Sequence, residues 1–375
     1  MKKVLFISTV LEQHIEAFHK PYIAWLRRHG CEVHVIANAC GKPFDLCDKL
    51  YDVAIERSPY SLKNIPAFFK VRKIINKEKY DLITCHTPMG GVIARLAAKK
   101  ARRNGTKVLY TAHGFNFYKG SPKSYWILYY TMEKFLAGKA DCIITMNEED
   151  YSLAKRKFES PKTEIKKIDG IGVDLERFSP VTEEEKVKLK EENGYGGKFL
   201  LIYAAEFIPR KNHKFLIDAA PVLCKKYPDI KFLFCGKGEI FEEIKAYAEE
   251  KGVSEYIDFL GFRKDMPNLY NMSDILSISS RQEGLPINLI EGMASGLPAV
   301  ASAIRGQTDA VINGENGYLY SLDSPEEFIE CVSRIHDDRE LYKKMSAAAV
   351  ESVKKFDIKN TLKQMEKIYR EYKVI

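Results

Sequence analysis

The sequence predicts an α/β protein of two doubly wound domains facing a central cleft. Three observations predict it. Short β-branched apolar runs alternate with longer stretches of helical period, the series breaks once near the middle and restarts, and 375 residues that are 45% apolar suffice for two ordinary cores.

The first series is KVLFISTV (3 to 10), EVHVIAN (32 to 38), YDLITCH (80 to 86), KVLYTAH (107 to 113) and DCIITM (141 to 146). Between them, segments such as 15 to 29 and 63 to 79 carry apolar residues three and four apart, as helices covering a parallel sheet do. Ser179-Pro180 and the charged stretch TEEEKVKLKEENGYGGK interrupt the pattern. The second series is FLLIYAAE (199 to 206), KFLFCG (231 to 236), YIDFLG (256 to 261), DILSISS (274 to 280) and PAVASA (298 to 303). We therefore expect domains at 1 to 180 and 181 to 355, followed by an amphipathic closing helix in 356 to 375 that is free to pack back on the first domain. Sheets of this kind bind ligands at the carboxyl ends of their strands.

The eight cysteines form no C-x-x-C pair and suit reduced core thiols, which points to the cytosol. The opening MKKVLFISTVL stops being apolar at Glu12 and lacks a small-residue cleavage site, so it reads as a first strand rather than a secretory segment. No run reaches the roughly 18 apolar residues of a membrane span. Of the net +8, residues 1 to 180 hold 31 lysines and arginines against 19 acids, whereas the remainder is slightly acidic. That asymmetry suits either solvated helix faces or a surface that meets an anionic membrane or nucleic acid, and no nucleic-acid recognition motif is present.

The segment from Ser280 to Pro298 carries the most chemistry. A strand ends at Ser280, Gly284 makes a turn, and Pro286 is expected as the first helical residue, where its missing N–H costs nothing. The helix N-terminus so formed offers backbone N–H groups and a partial positive charge to an anion. Glu283 and Glu291 flank it; alone, such a pair equally suits a capping acceptor and a solvated helix residue.

The pair forms an E-x7-E signature within SS-x-QEGLP-x5-GMASGLPAV, which resembles the retaining glycosyltransferases of family 4 with the two-domain, Rossmann-like GT-B fold. GIGVD-x-x-RF (170 to 178), F-x-x-x-KNH (207 to 213), CGKGE (235 to 239), LGFRKD-x-P-x-LY (260 to 270), SDI (273 to 275), IRG-x-x-D (304 to 309) and NGENGYL (313 to 319) extend the resemblance over nearly the whole chain. HIEAFHKPY (14 to 22), HTPMGG (86 to 91) and TAHGFNFY (111 to 118) make it most similar to bacterial capsule and exopolysaccharide transferases.

The resemblance implies an acceptor-side first domain and a second domain binding a nucleotide sugar, a uridine diphosphate sugar above all. Glu291 would hold the ribose hydroxyls, Glu283 those of the transferred sugar, and Gly284 and Leu285 would offer backbone N–H groups. Lys211 would meet the charge that grows on the leaving diphosphate. Where many members carry an arginine five residues before that lysine, this chain has Glu206, so Arg210 is a candidate second cation beside the reading of a solvated side chain. His113, at the end of a strand, corresponds to a family histidine near the donor. His14 and Thr9 occupy the loop where members have a Gly-Gly turn, which is absent here. Gly236 and Gly238 form a G-x-G without the third glycine of a dinucleotide fingerprint, and Phe262 joins the donor-binding set. No metal is expected: no D-x-D follows a strand, Glu148-Glu149-Asp150 suits a helix first turn, and cations with a helix end can serve the diphosphate.

The expectation is thus a metal-independent, retaining hexosyltransferase acting on a lipid-linked or polysaccharide acceptor, peripheral at the inner face of the cell membrane. The alternatives are a nucleotide-sugar epimerase of similar architecture and a non-catalytic two-lobed sugar-binding protein.

Overall fold

The apolar run at the start forms β1 (Lys3–Val10) of a parallel sheet in the computed structural model, which describes all 375 residues. The chain divides into two units, Met1–Gly172 with Ile358–Ile375, and Val173–Asp357. The first boundary therefore falls inside GIGVD, not at 180 to 181, and the charged stretch that interrupts the strand pattern is a helix of the second unit, Glu183–Glu192, closed by a Thr182–Glu185 capping box.

In the first unit β1 is joined by β2 (Glu32–Asn38), β3 (Lys49–Asp52), β4 (Leu82–His86), β5 (Lys107–Thr111), β6 (Cys142–Thr145) and β7 (Glu164–Lys167), in the order β3-β2-β1-β4-β5-β6-β7. Val4 pairs with Val33 on one side and Leu82 on the other. The inner strands are apolar on both faces because helices cover both, as in parallel sheets generally. The order reverses between β1 and β4, so the loops leaving those strands diverge and leave room for a ligand. Below this edge Arg95 is fully buried, its guanidinium forked onto Glu133 at 2.8 and 3.1 Å and stacked 4.0 Å from the Tyr110 ring. The closing helix Ile358–Glu371 belongs to this unit, where Asp169 and Gln364 exchange two hydrogen bonds.

The second unit holds β8 (Phe199–Ala204), β9 (Ile230–Cys235), β10 (Ile257–Gly261), β11 (Ile275–Ile278), β12 (Ala299–Ser302) and β13 (Gly317–Tyr320), in the order β10-β9-β8-β11-β12-β13. Its reversal lies between β8 and β11. The SDI motif is structural here: the buried Asp274 carboxylate takes Lys186 at 2.9 Å, Lys190 at 2.6 Å and the Leu200 amide at 2.8 Å. No helix is long and apolar enough to cross a membrane. Six thiols are buried, Cys331 is half-buried, and Cys40 is exposed rather than in the core.

Candidate active site

In the second unit, the loops after β8 and β11 meet at the reversal point. The chain leaves β8 through a short turn, Pro209–Lys211, and Asn212 takes a left-handed conformation at φ 55° before the helix His213–Lys226. The turn is pinned by its carbonyls, Tyr203 donating to Lys211 at 2.9 Å and Ser279 to Asn212 at 2.9 Å. Lys211, so held, places Nζ 2.5 Å from Glu283 Oε1, and Arg210 Nη1 lies 3.6 Å from Glu283 Oε2. Arg210 therefore stands beside Glu283, whereas Glu206 is exposed.

Glu283 is 8% exposed. Burial, the largest influence, pushes its carboxyl up, but the Lys211 and Arg210 charges outweigh it and hold the group below its usual range. Arg305, from the loop after β12, donates to the Glu283 carbonyl at 2.9 Å and fixes the turn at Gly284 and Leu285. Helix Ile287–Ala294 follows, with Pro286 as its cap residue, one position earlier than expected, and with no side-chain acceptor on its first amides. Asn288 donates to the Ala204 carbonyl at 2.8 Å, tying that helix end to β8.

Glu291 lies further along the helix, 3.5 Å from the Tyr270 hydroxyl. Burial raises its pKa to about 7, with Arg177 and Tyr270 only partly opposing. Gly236 and Gly238 have a packing reason: a Cβ on either would lie 1.9 Å from the Ala205 carbonyl oxygen or 2.2 Å from that of Phe207, so the β9 loop can cross the β8 loop only as glycine. Phe262, after β10, is 65% exposed, with Lys237 Nζ 5.4 Å from its ring centre.

In the first unit, His14 and His113 come together, in company not expected from the sequence. His14 Nε2 is 3.2 Å from His19 Nε2, and His113 Nε2 is 3.3 Å from His86 Nδ1. One ring nitrogen from each of the four lies within 4.8 Å of every other. Burial drives His14, His19 and His86 well below the usual range and His113 to about 4, so all four are neutral at pH 7. Thr9 is buried beside them, its amide donating to Thr87 Oγ1 at 3.2 Å. Arg305, His19 and His86 are the residues that sequence reasoning missed. The IRG motif hinted at the first; the histidine spacing hid the others.

Exposed apolar side chains collect on the first unit. Tyr60, Leu62, Ile65 and Phe69 protrude at the start of helix Asn64–Glu78, and Ile127 and Phe135 protrude from 123 to 137. Tyr129 lies close to both Tyr60 and Tyr125. Val71, Ile74 and Ile75 face the core, so the helix divides its apolar residues between sheet and solvent.

Residues 184–352 match the family model described as glycosyl transferases group 1, and residues 3–147 match the one described as glycosyl transferase 4-like. A Bacillus subtilis (strain 168) protein named as a glycosyltransferase, EpsD, is 41% identical over 372 residues, covering 99% of this chain and 97% of that protein. The UDP-Gal:alpha-D-GlcNAc-diphosphoundecaprenol alpha-1,3-galactosyltransferase of Escherichia coli is 29% identical over 75% of this chain and 72% of its own. Among solved structures, Anabaena Alr3699/HepE in complex with UDP and glucose superposes with a TM-score of 0.80 over 99% of this chain and 100% of that one, at 18% identity.

Proposed function

The chain belongs to the group 1 and 4-like glycosyltransferases and has the GT-B fold, and from that premise we propose that it moves a sugar from a uridine diphosphate donor to a lipid-linked glycan, with retention of anomeric configuration, in exopolysaccharide synthesis. The observation that carries this reading is the cluster of Lys211, Arg210 and Glu283 at the reversal point of the second sheet, beside a helix end whose amides carry no side-chain cap. An incoming diphosphate draws Lys211 and Arg210 away from Glu283, and the carboxylate oxygens so freed accept the hydroxyls of the transferred sugar. The same cations meet the negative charge that grows on the diphosphate as the glycosidic bond breaks, so they stabilise the transition state more than the ground state. Glu291, when ionised, accepts the ribose hydroxyls, and the exposed Phe262 ring offers a face to the base.

Two lysine and arginine charges with a helix end do at the diphosphate what a divalent ion does elsewhere, and the donor reaction needs no magnesium. His113 enters as a neutral hydrogen-bond donor to the sugar or its phosphate. The complexes of HepE with UDP and the undecaprenol-linked acceptor in the name of the E. coli relative support donor and acceptor class. A lipid-linked acceptor is reached from the bilayer surface, and the apolar tip of helix Asn64–Glu78 with Lys63, Arg72, Lys73 and Lys77 supplies both ingredients of peripheral binding at the inner face of the membrane.

A thermal-shift screen of nucleotide sugars tests the reading. A donor at 100 times its Kd stabilises the protein by about 2.7 kcal/mol. A uridine diphosphate sugar should be among the strongest; a protein that none of them stabilises does not bind donors in this way.

A further inference from the structure

We propose that His14, His19, His86 and His113 form a binding site for one divalent transition metal of the zinc class. His14 and His19 come from the segment Leu11–His19 after β1, His86 ends β4, and His113 follows β5. Three neighbouring strands therefore deliver four imidazoles to the point where the sheet order reverses.

The local winding makes this possible. Residues five apart on an α-helix point about 140° from one another. Leu11–His19 is π-helical, and its wider turn brings His14 and His19 to one face; such turns recur at functional sites. The two close nitrogen pairs, at 3.2 and 3.3 Å, match the edge of about 3.3 to 3.4 Å that a tetrahedron of Zn–N bonds requires.

The surroundings fit a metal as well. Thr84 Oγ1 lies 3.1 Å from His86 Nε2; with a metal on Nδ1, the proton sits on Nε2 and that nitrogen donates to the hydroxyl. Metal-bound histidines are commonly oriented in this way. Thr111 lines a small cavity with His19 and His86, and its hydroxyl is buried without a partner. A ligand set of imidazoles with no carboxylate suits zinc, nickel or copper and not magnesium. Bound there, the ion ties the first loop of the unit to the ends of β4 and β5 and fixes the orientation of His113.

Tag-free protein, stripped with EDTA and freed of the chelator, is titrated with Zn²⁺ against a chromogenic competitor and with Co²⁺ as a spectroscopic probe. One Zn²⁺ per chain and the intense visible bands of tetrahedral Co²⁺ are expected. Thr84→Val, which removes only the outer hydroxyl, should weaken Zn²⁺ binding 10- to 100-fold. His19→Asn and His86→Asn should each weaken it at least as much, and His29→Asn, at an exposed histidine outside the cluster, should leave it unchanged. Wild-type protein that takes up no stoichiometric Zn²⁺, or gives only the weak spectrum of octahedral Co²⁺, overturns the site and leaves four neutral imidazoles sharing hydrogen bonds. Unchanged affinity in Thr84→Val and in a folded histidine variant overturns it equally. None of these readouts depends on the transfer reaction.

Discussion

The ribose contact proposed for Glu291 would couple donor binding to pH. With its folded pKa raised to about 7, the carboxyl is protonated in much of the protein at neutral pH, and only the ionised form is a strong acceptor for two ribose hydroxyls. Donor affinity in the wild type should therefore rise about tenfold between pH 6 and pH 8, whereas Glu291→Gln should bind more weakly at pH 8 and show no such rise; titration calorimetry at the two values measures both. The sign for stability is the opposite. A carboxyl whose pKa rises on folding contributes stability below its unfolded value of 4.5, and that contribution is lost as pH climbs through 7. Glu291→Gln should thus be more stable than wild type at pH 8, on the order of 1 to 3 kcal/mol, with the difference shrinking towards pH 5. None of this was legible in the sequence, because the E-x7-E spacing locates the two carboxylates without their surroundings. Lys211 and Glu283 lie 72 positions apart and only the family resemblance joined them.

At the scale of elements, the inner strands were readable because they are buried on both faces and carry unbroken apolar runs, as in FLLIYA and KFLFC. The edge strands were not. KLYD of β3 and EIKK of β7 are half-exposed and polar, and their pairing depends on the neighbouring strand rather than on their own pattern. The π-helical turn at Leu11–His19 was hidden for a related reason: its histidines follow a period that no amphipathic helix shows. The crossing of the β8 and β9 loops gives a prediction at this scale. Gly238→Ala puts a methyl 2.2 Å from the Phe207 carbonyl oxygen, and backbone cannot swing aside as a side-chain end can. We expect a loss of about 1 to 3 kcal/mol by denaturant melting, together with weaker donor binding, because the displaced loop carries Arg210 and Lys211.

At the scale of the molecule, the charge asymmetry becomes specific once the exposed apolar side chains are placed. Lys70 donates to the Asp52 carbonyl at 2.7 Å and is engaged on the protein, so the proposed membrane contact would fall to Ile65, Phe69, Arg72 and Lys73. Binding to vesicles with anionic lipid should fall steeply between low and moderate salt, about 1 kcal/mol per cation being at stake near the surface. Replacing Ile65 and Phe69 with serine should weaken it without lowering the melting temperature. Equal binding to neutral and anionic vesicles, or none to either, would remove the membrane role.

Lys211 and Glu283 are proposed to act on a nucleotide sugar at the edge of the second sheet. The most direct measurement is release of UDP from a uridine diphosphate sugar supplied with an undecaprenyl-diphosphate-linked sugar, in wild type, Lys211→Ala and Glu283→Gln, in EDTA with and without added magnesium. Each variant should lose about 10- to 150-fold in kcat/KM, the equivalent of one charged hydrogen bond of 1.5 to 3 kcal/mol, with Lys211→Ala losing more in kcat than in donor affinity. Added magnesium should leave the wild-type rate unchanged. Folded variants that turn over like the wild type, or an enzyme that only magnesium awakens, would contradict these roles.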